Sequence, residues 1–258
     1  MNNIHPTAII EDRVELGDNV TIGPNVTIKS NVKIDDNTYI DSNAYIGSYT
    51  KIGKNCKIFP SAVVGTIPQD LKFSGEFSEL IIGDNNTIRE FCMINRGTKN
   101  GGGVTKIGNN NLLMAFVHIA HDCILGNNII IANTVQFAGH ITVDDNAVIG
   151  GMSALHQFVR VGKFVMVGGM SGVVQDIAPF CLTTGSRSRL NGLNLIGLKR
   201  AGFSNTEINE IKKAYRVIFK SNLTFKEAFE KLKNSPSKNV IDMIEFLKNS
   251  KRGFCRDR

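Results

Sequence analysis

The chain has 258 residues, 42% of them hydrophobic, with five cysteines, no tryptophan and a formal net charge of +7. It holds one or two domains, has no apolar run of about 18 residues that could cross a membrane as a helix, and opens on a polar Met1–Pro6 without a basic apolar leader, so a cytoplasmic location is expected. The charge is uneven: residues 1–190 carry 15 Lys and Arg against 16 Asp and Glu, whereas residues 191–258 carry 15 against 7, which points to an acidic partner for the C-terminal part without choosing among nucleic acid, anionic lipid and an acidic carrier protein.

From Ile4 onward an aliphatic residue recurs at every sixth position: Ile10, Leu16, Ile22, Ile28, Ile34, Ile40, Ile46, Ile52 and Ile58. A small residue follows four places after each, from Ala8 and Val14 to Cys56 and Ala62. That period fits neither a 3.6-residue helix nor an alternating strand, and predicts a parallel β-helix of hexapeptide repeats. Three hexads make one coil of 18 residues. Runs such as Gly17–Asp18–Asn19 and Gly126–Asn127–Asn128 are expected at the corners, where Gly and Asn tolerate left-handed backbone angles.

The period breaks twice, and the expected excursion loops are 65–80, containing Gln69, Asp70 and Lys72, and 100–104, the Asn-Gly-Gly-Gly-Val run. Loops that leave a regular coil tend to carry function. Hexads resume at Ile107 and run through Val173, which gives about eight coils and a prism roughly 40 Å tall at about 4.8 Å per layer. The expected fold is mainly β, a left-handed parallel β-helix over residues 1–190, with a basic α-helical domain over 191–258. Residues 180–193 read as a linker. Ser204 with Glu207 and Thr224 with Glu227 read as capping boxes that start two helices, Val240 to Leu247 suggests a third, and the tail 248–258 is expected to fray. Cys56, Cys92 and Cys123 fall on small inward positions and are expected to be core filler, not disulfides.

The 18-residue coil also serves as a ruler. It stacks His121, Gly139 and Gln157 in one column, Asp122, His140 and Phe158 in the next, and Ala120, Ala138 and His156 in a third. Three of the five histidines thus converge on one edge. Two chemistries suit such an edge. An imidazole with its ordinary pKa near 6.5 can act as a general base, with the backbone N–H of side-chain-free Gly139 as an oxyanion donor. Histidines are also zinc ligands, and His118, His121 and His140 would be the candidates.

The segments His118–Ile119–Ala120–His121–Asp122–Cys123, Gln69–Asp70–Leu71–Lys72, Ala138–Gly139–His140, Gly150 to Phe158 and Gly197–Leu198–Lys199–Arg200 together resemble the UDP-N-acetylglucosamine O-acyltransferases that open lipid A biosynthesis in Gram-negative bacteria. The resemblance implies a homotrimer with active sites between subunits, and transfer of an (R)-3-hydroxyacyl group from acyl carrier protein to the sugar 3-hydroxyl, with no cofactor, no metal and no nucleic acid. It implies that His121 is the base, that Asp122 assists it and that Gly139 supplies the oxyanion donor. It further implies that Gln69, Asp70, Lys72, His140, His156 and Gln157 line the substrate site, that Asn194 and Arg200 meet the nucleotide, and that Met166 and Gly169 border the acyl tail. The carrier protein would dock on the basic C-terminal part. The chain departs from the family pattern at Asn95, where His is frequent, and at Ile196 and Ala201, so nucleotide contacts are expected to be fewer or rearranged. Other readings of the same residues are a related acyltransferase with an amino-sugar acceptor or a coenzyme A donor, and a zinc hydratase of carbonic anhydrase type on the same fold.

Overall fold

The sixfold period becomes three stacked sheets in the computed structural model, which describes residues 1–256. Strands of mostly two residues succeed one another around a triangle, so each sheet collects every third strand: an 11-stranded face A, a 9-stranded face B and an 8-stranded face C, together a left-handed parallel β-helix. Pairing is in register at 18 residues, as in Ile40 with Ile58 and Ile131 with Ile149. From Thr21 onward the second residue of each two-residue strand points inward. Ile22, Ile28, Ile34, Ile40, Ile46, Ile58, Ile88 and Ile94 are all buried, each contributing about 1.5–3 kcal/mol of apolar burial. The small inward positions hold Cys56, Cys92 and Cys123 as free, fully buried thiols, with pKa values pushed up by burial to about 11, 12 and 12.

The corners differ from the expectation in one respect. The left-handed residue is the asparagine that ends the corner run, two places after the glycine at Asn19, Asn55, Asn110 and Asn128 and without a glycine at Asn37 and Asn146; all six have φ between 55° and 62°. The glycine is needed for close approach instead, since a Cβ on Gly108 would lie 2.4 Å from the carbonyl oxygen of Gly126 in the next coil.

Both excursions shift against the sequence reading. Strand Val63–Thr66 outlasts the expected break and Glu79–Ile82 precedes its end, so the first loop is 67–78. The second leaves the sheet after Asn95 and returns at Val104, which pairs with Glu79. It is therefore 96–103 with a 3-10 turn at Lys99–Gly101, and not 100–104. The glycine run marked only its far half. Offsets between stacked strands grow accordingly, with Ile58 on Ile88 and Ile94 on Ile119. In the last coil the offset falls to 16, with Val161 beside Ile177.

The segment read as a linker is a β-hairpin. Cys181–Thr184 continues face A and pairs antiparallel with Arg189–Leu193, so β-structure extends to Leu193. Helices follow: α1 (Leu195–Arg200), α2 (Asn205–Phe219), α3 (Phe225–Leu232) and α4 (Lys238–Lys248). Both capping boxes form, at Ser204/Glu207 and Thr224/Glu227. The first helix escaped the sequence reading because its N-cap, Asn194, was assigned to ligand binding. The tail does not fray as expected: Phe254 bridges Asp176, Cys255 is buried, and Ser250 Oγ donates to Asp176 Oδ2 at 2.8 Å. The last two residues of that expected tail, 257 and 258, lie outside the described residues.

Candidate active site

The edge between faces B and C carries the predicted columns. His140 N donates to the carbonyl of His121 at 3.0 Å, and Phe158 N to that of Gly139 at 3.1 Å, so the stacking follows the 18-residue ruler. Asp122, His140 and Phe158 occupy successive left-handed corner positions, with φ of 61°, 62° and 67°. Their side chains are thereby thrown to the same side of the edge. The His140 ring stacks on Phe158, with centroids 4.5 Å apart, and meets the His121 ring edge-on at 5.1 Å.

His121 Nδ1 lies 2.7 Å from Asp122 Oδ2. A carboxylate only accepts, so Nδ1 carries the hydrogen and Nε2 keeps its lone pair. The other face of this ring is set by Gly139: a Cβ there would lie 2.6 Å from Cε1 and 2.9 Å from Nε2 of His121. Any side chain at 139 would therefore displace the imidazole. The Gly139 N–H makes no hydrogen bond among the described residues, as an oxyanion donor must not in the resting site.

Asp122 is nearly sealed, its side chain 1% exposed. The second excursion closes over it. Thr98 donates twice, from its backbone N to Oδ1 at 2.7 Å and from Oγ1 to Oδ2 at 2.6 Å. Gly101 lies so close that a Cβ would come within 1.9 Å of Asp122 Cγ. From below, Thr105 Oγ1 accepts the Asp122 N–H at 2.8 Å. This explains the second break in the repeat: eight residues leave the coil to hold one carboxylate. Thr98 was missed in the sequence because its partner is 24 residues away and sits across an irregular loop.

Asn95 and Arg96 tie down the first excursion. The Asn95 amide donates to Thr66 Oγ1 and to the Ile67 carbonyl, both at 2.9 Å, which leaves its Oδ1 to accept from His118 Nε2 at 2.9 Å. The Arg96 guanidinium reaches the Ser78 carbonyl at the end of that loop and the Ser48 carbonyl in the preceding coil. Burial, with His121 nearby, pushes the His118 pKa down, so the ring is held neutral. Burial also pushes His140 down, partly offset by Asp122 at 3.6 Å. The loop returns over the site: Gln69 joins His118, His121, Gln136 and Gly139 in lining a cleft of about 400 Å³, and Asp70 acts electrostatically on His140. Asp70 Oδ1 accepts the Lys72 N–H, and the exposed Lys72 ammonium pairs with no carboxylate among the described residues.

The remaining candidates fall in three places. His156 and Gln157 are exposed on the same edge, two coils above His121. Met166 lies on face A and Gly169 at the corner between faces A and B, away from His121. Asn194 caps α1, accepting from Gly197 N and donating to the Phe164 carbonyl, both at 3.0 Å, while Arg200 ends that helix near the corner between faces C and A. One chain does not bring these groups together.

The three histidines weighed as zinc ligands do not converge either. His118 is turned to Asn95, and the only close set among the described residues is His121, Asp122 and His140. In that set Asp122 already takes three donors, and the His121 nitrogen that faces it is spent on the carboxylate. The donor set does not fit a three-histidine zinc centre.

Residues 176–255 match the family described as Udp N-acetylglucosamine O-acyltransferase; Domain 2, and residues 31–66 and 105–139 match the bacterial transferase hexapeptide repeat. The acyl-[acyl-carrier-protein]–UDP-N-acetylglucosamine O-acyltransferase of Aliarcobacter butzleri is 54% identical over all of both chains. That of a Sulfurihydrogenibium species is 57% identical over 99% of this chain and 95% of its own. Among solved structures, the UDP-N-acetylglucosamine acyltransferase of Bacteroides fragilis superposes with a TM-score of 0.95 at 45% identity, covering 98% of this chain and 100% of its own. The Campylobacter jejuni enzyme does so at 0.95 and 43%, covering 99% and 100%.

Proposed function

The chain belongs to the acyl-[acyl-carrier-protein]–UDP-N-acetylglucosamine O-acyltransferase family, and on that premise we propose how its residues perform the transfer. The protein moves an (R)-3-hydroxyacyl group from acyl carrier protein to the 3-hydroxyl of UDP-N-acetylglucosamine, the first step of lipid A biosynthesis. The reaction takes place in the cytoplasm, and no helix among the described residues is long and apolar enough to cross a membrane.

His121 Nε2 takes the proton from the sugar hydroxyl as its oxygen attacks the thioester carbonyl. Asp122 holds the imidazole in the reactive tautomer and offsets the charge that forms on it. The free Gly139 N–H meets the developing oxyanion. Collapse expels the carrier thiolate, and the proton on His121 goes to it. Lys72 supplies a mobile cation for substrate phosphate, Gln69 and Asp70 contact the sugar, and His140, His156 and Gln157 line the track between acceptor and acyl linker. The observation that carries this reading is the 2.7 Å His121–Asp122 contact beside a glycine whose added side chain would strike the same ring.

Three copies complete the site. Met166 with Gly169, and Asn194 with Arg200, lie on other faces of the prism from His121, so only neighbouring subunits can supply them to it. A ridge of exposed Phe91, Phe116, Met152 and Met170 along the corner between faces A and B supports burial there, with Phe91 and Phe116 stacked at 5.0 Å. The carrier protein, being acidic, docks on the basic helices. Replacing His121 by Ala should leave the fold intact and lower turnover by about 10²–10⁴-fold. Near-normal turnover of that variant would remove His121 from the mechanism.

A further inference from the structure

A second cationic centre lies on the catalytic edge, near the C-terminal end of the prism. A pocket of about 380 Å³ is lined by Arg187, Arg189 and Arg256 together with Gln175, Ser188 and Gly253. The guanidinium groups come from two distant segments. Arg187 and Arg189 sit at the turn of the Cys181–Leu193 hairpin, and Arg256 arrives with the C-terminal stretch, which is pinned by Cys255 N to the Asp176 carbonyl at 2.8 Å and Asp176 N to that of Gly253 at 3.0 Å.

No acidic side chain among the described residues lines the pocket. Asp176, next in sequence to Gln175, is 1% exposed and has both oxygens occupied, by the Arg160 N–H and by Ser250 Oγ. The three arginines are exposed at one pocket, so an anion seated there would meet several guanidinium donors. Ser188 is also among the residues of the pocket wall. It is 5% exposed, and its Oγ has no hydrogen-bond partner among the described residues. Arg256 is also preset: its guanidinium stacks on the rings of Phe225 and Phe254, at 4.5 and 5.3 Å, so its N–H edge is held in place.

The position identifies the anion. Gln175 continues the column His121–Gly139–Gln157, three coils above the base, which is about 14 Å at 4.8 Å per coil. A carrier protein presents its acyl group as a thioester at the end of a pantetheine arm, joined to the protein through one phosphodiester. With the thioester at His121 and Gly139, an arm running up this edge past His156 and Gln157 brings that phosphate to the arginines. We propose that this pocket is a phosphate-ester site that seats the phosphodiester of the donor's pantetheine arm. The proposal rests on the family reading of the donor.

The test compares two small donors, hydroxyacyl-phosphopantetheine and hydroxyacyl-pantetheine, at saturating UDP-N-acetylglucosamine. The native protein should favour the phosphorylated donor in kcat/KM by about tenfold or more, as charge-assisted contacts to one phosphate allow. The Arg187→Gln/Arg189→Gln variant should bring that ratio to near unity, Arg256→Gln should lower it, and Arg187→Lys/Arg189→Lys should restore most of it. A native protein indifferent to the phosphate, or a double Gln variant that keeps the preference, overturns the proposal. So does a variant that raises KM for UDP-N-acetylglucosamine while the donor ratio stays put, because the pocket then serves the nucleotide. If the native protein accepts neither small donor nor intact acyl carrier protein, the donor assignment itself fails, and the pocket's role with it.

Discussion

At the scale of single residues, the proposed chemistry depends on how little freedom His121 and Asp122 have. Asp122 accepts from His121 and twice from Thr98, and the left-handed backbone at 122 aims it there. In the proposed mechanism Thr98 is thus a positioning residue, acting through the carboxylate. Thr98→Val removes one donor from a buried carboxylate and keeps the shape. It should destabilise the fold by about 1–3 kcal/mol and lower kcat, with Thr98→Ser close to native. Denaturant melts and turnover check this together; a Val variant with native kcat would mean that the Oγ1 contact is idle. The histidine edge was legible in the sequence because 18-residue arithmetic survives wherever the repeat is regular. Thr98, Asn95 and the caps of α1 were not, since their partners lie across the two excursions, where the register is lost.

At the scale of elements, the repeat is carried by alternation of inward aliphatic residues and by corners that need positive φ. The sequence placed the strands well because the core demands bulk at every sixth position. It placed Asn correctly in the left-handed corner positions but read the glycine two places earlier as a conformational signal when it is a packing one. Asn110 shows the difference: its φ is 58°, and no side-chain hydrogen bond of its own among the described residues explains it. Asn110→Ala should cost about 1 kcal/mol, whereas Asn110→Gly should be near neutral. An Ala variant as stable as the native protein in urea would show that the corner relaxes out of the left-handed region. The hairpin at 181–193 and the ordered tail escaped notice because neither follows the hexad. Both are held instead by contacts to the last, shortened coil.

At the scale of the molecule, pH couples the site to the fold. His118 and His140 both have folded-state pKa values below the ordinary imidazole value, chiefly through burial. The unfolded chain therefore binds more protons as pH falls. Their contribution is fully present above about pH 6.5 and is lost progressively below it. Thermal melts should show the native protein losing more stability between pH 7.5 and 5.5 than His118→Gln does; equal losses would show that His118 is not held neutral in the fold. The prism also sets what one chain can do. It places the proposed base on one edge and the expected acyl and nucleotide residues on others, which is why the proposed site draws on more than one copy of the chain.

The central claim is ester formation on the sugar nucleotide by this chain. The most direct measurement incubates the purified protein with UDP-N-acetylglucosamine and a 3-hydroxyacyl carrier protein and reads the sugar product by mass and NMR. The expected result is a single hydroxyacyl ester at the 3-position, formed by the native protein and reduced at least about 10²-fold in His121→Ala. A sugar nucleotide left unmodified by the native protein, or acylated equally fast by the variant, would contradict the account.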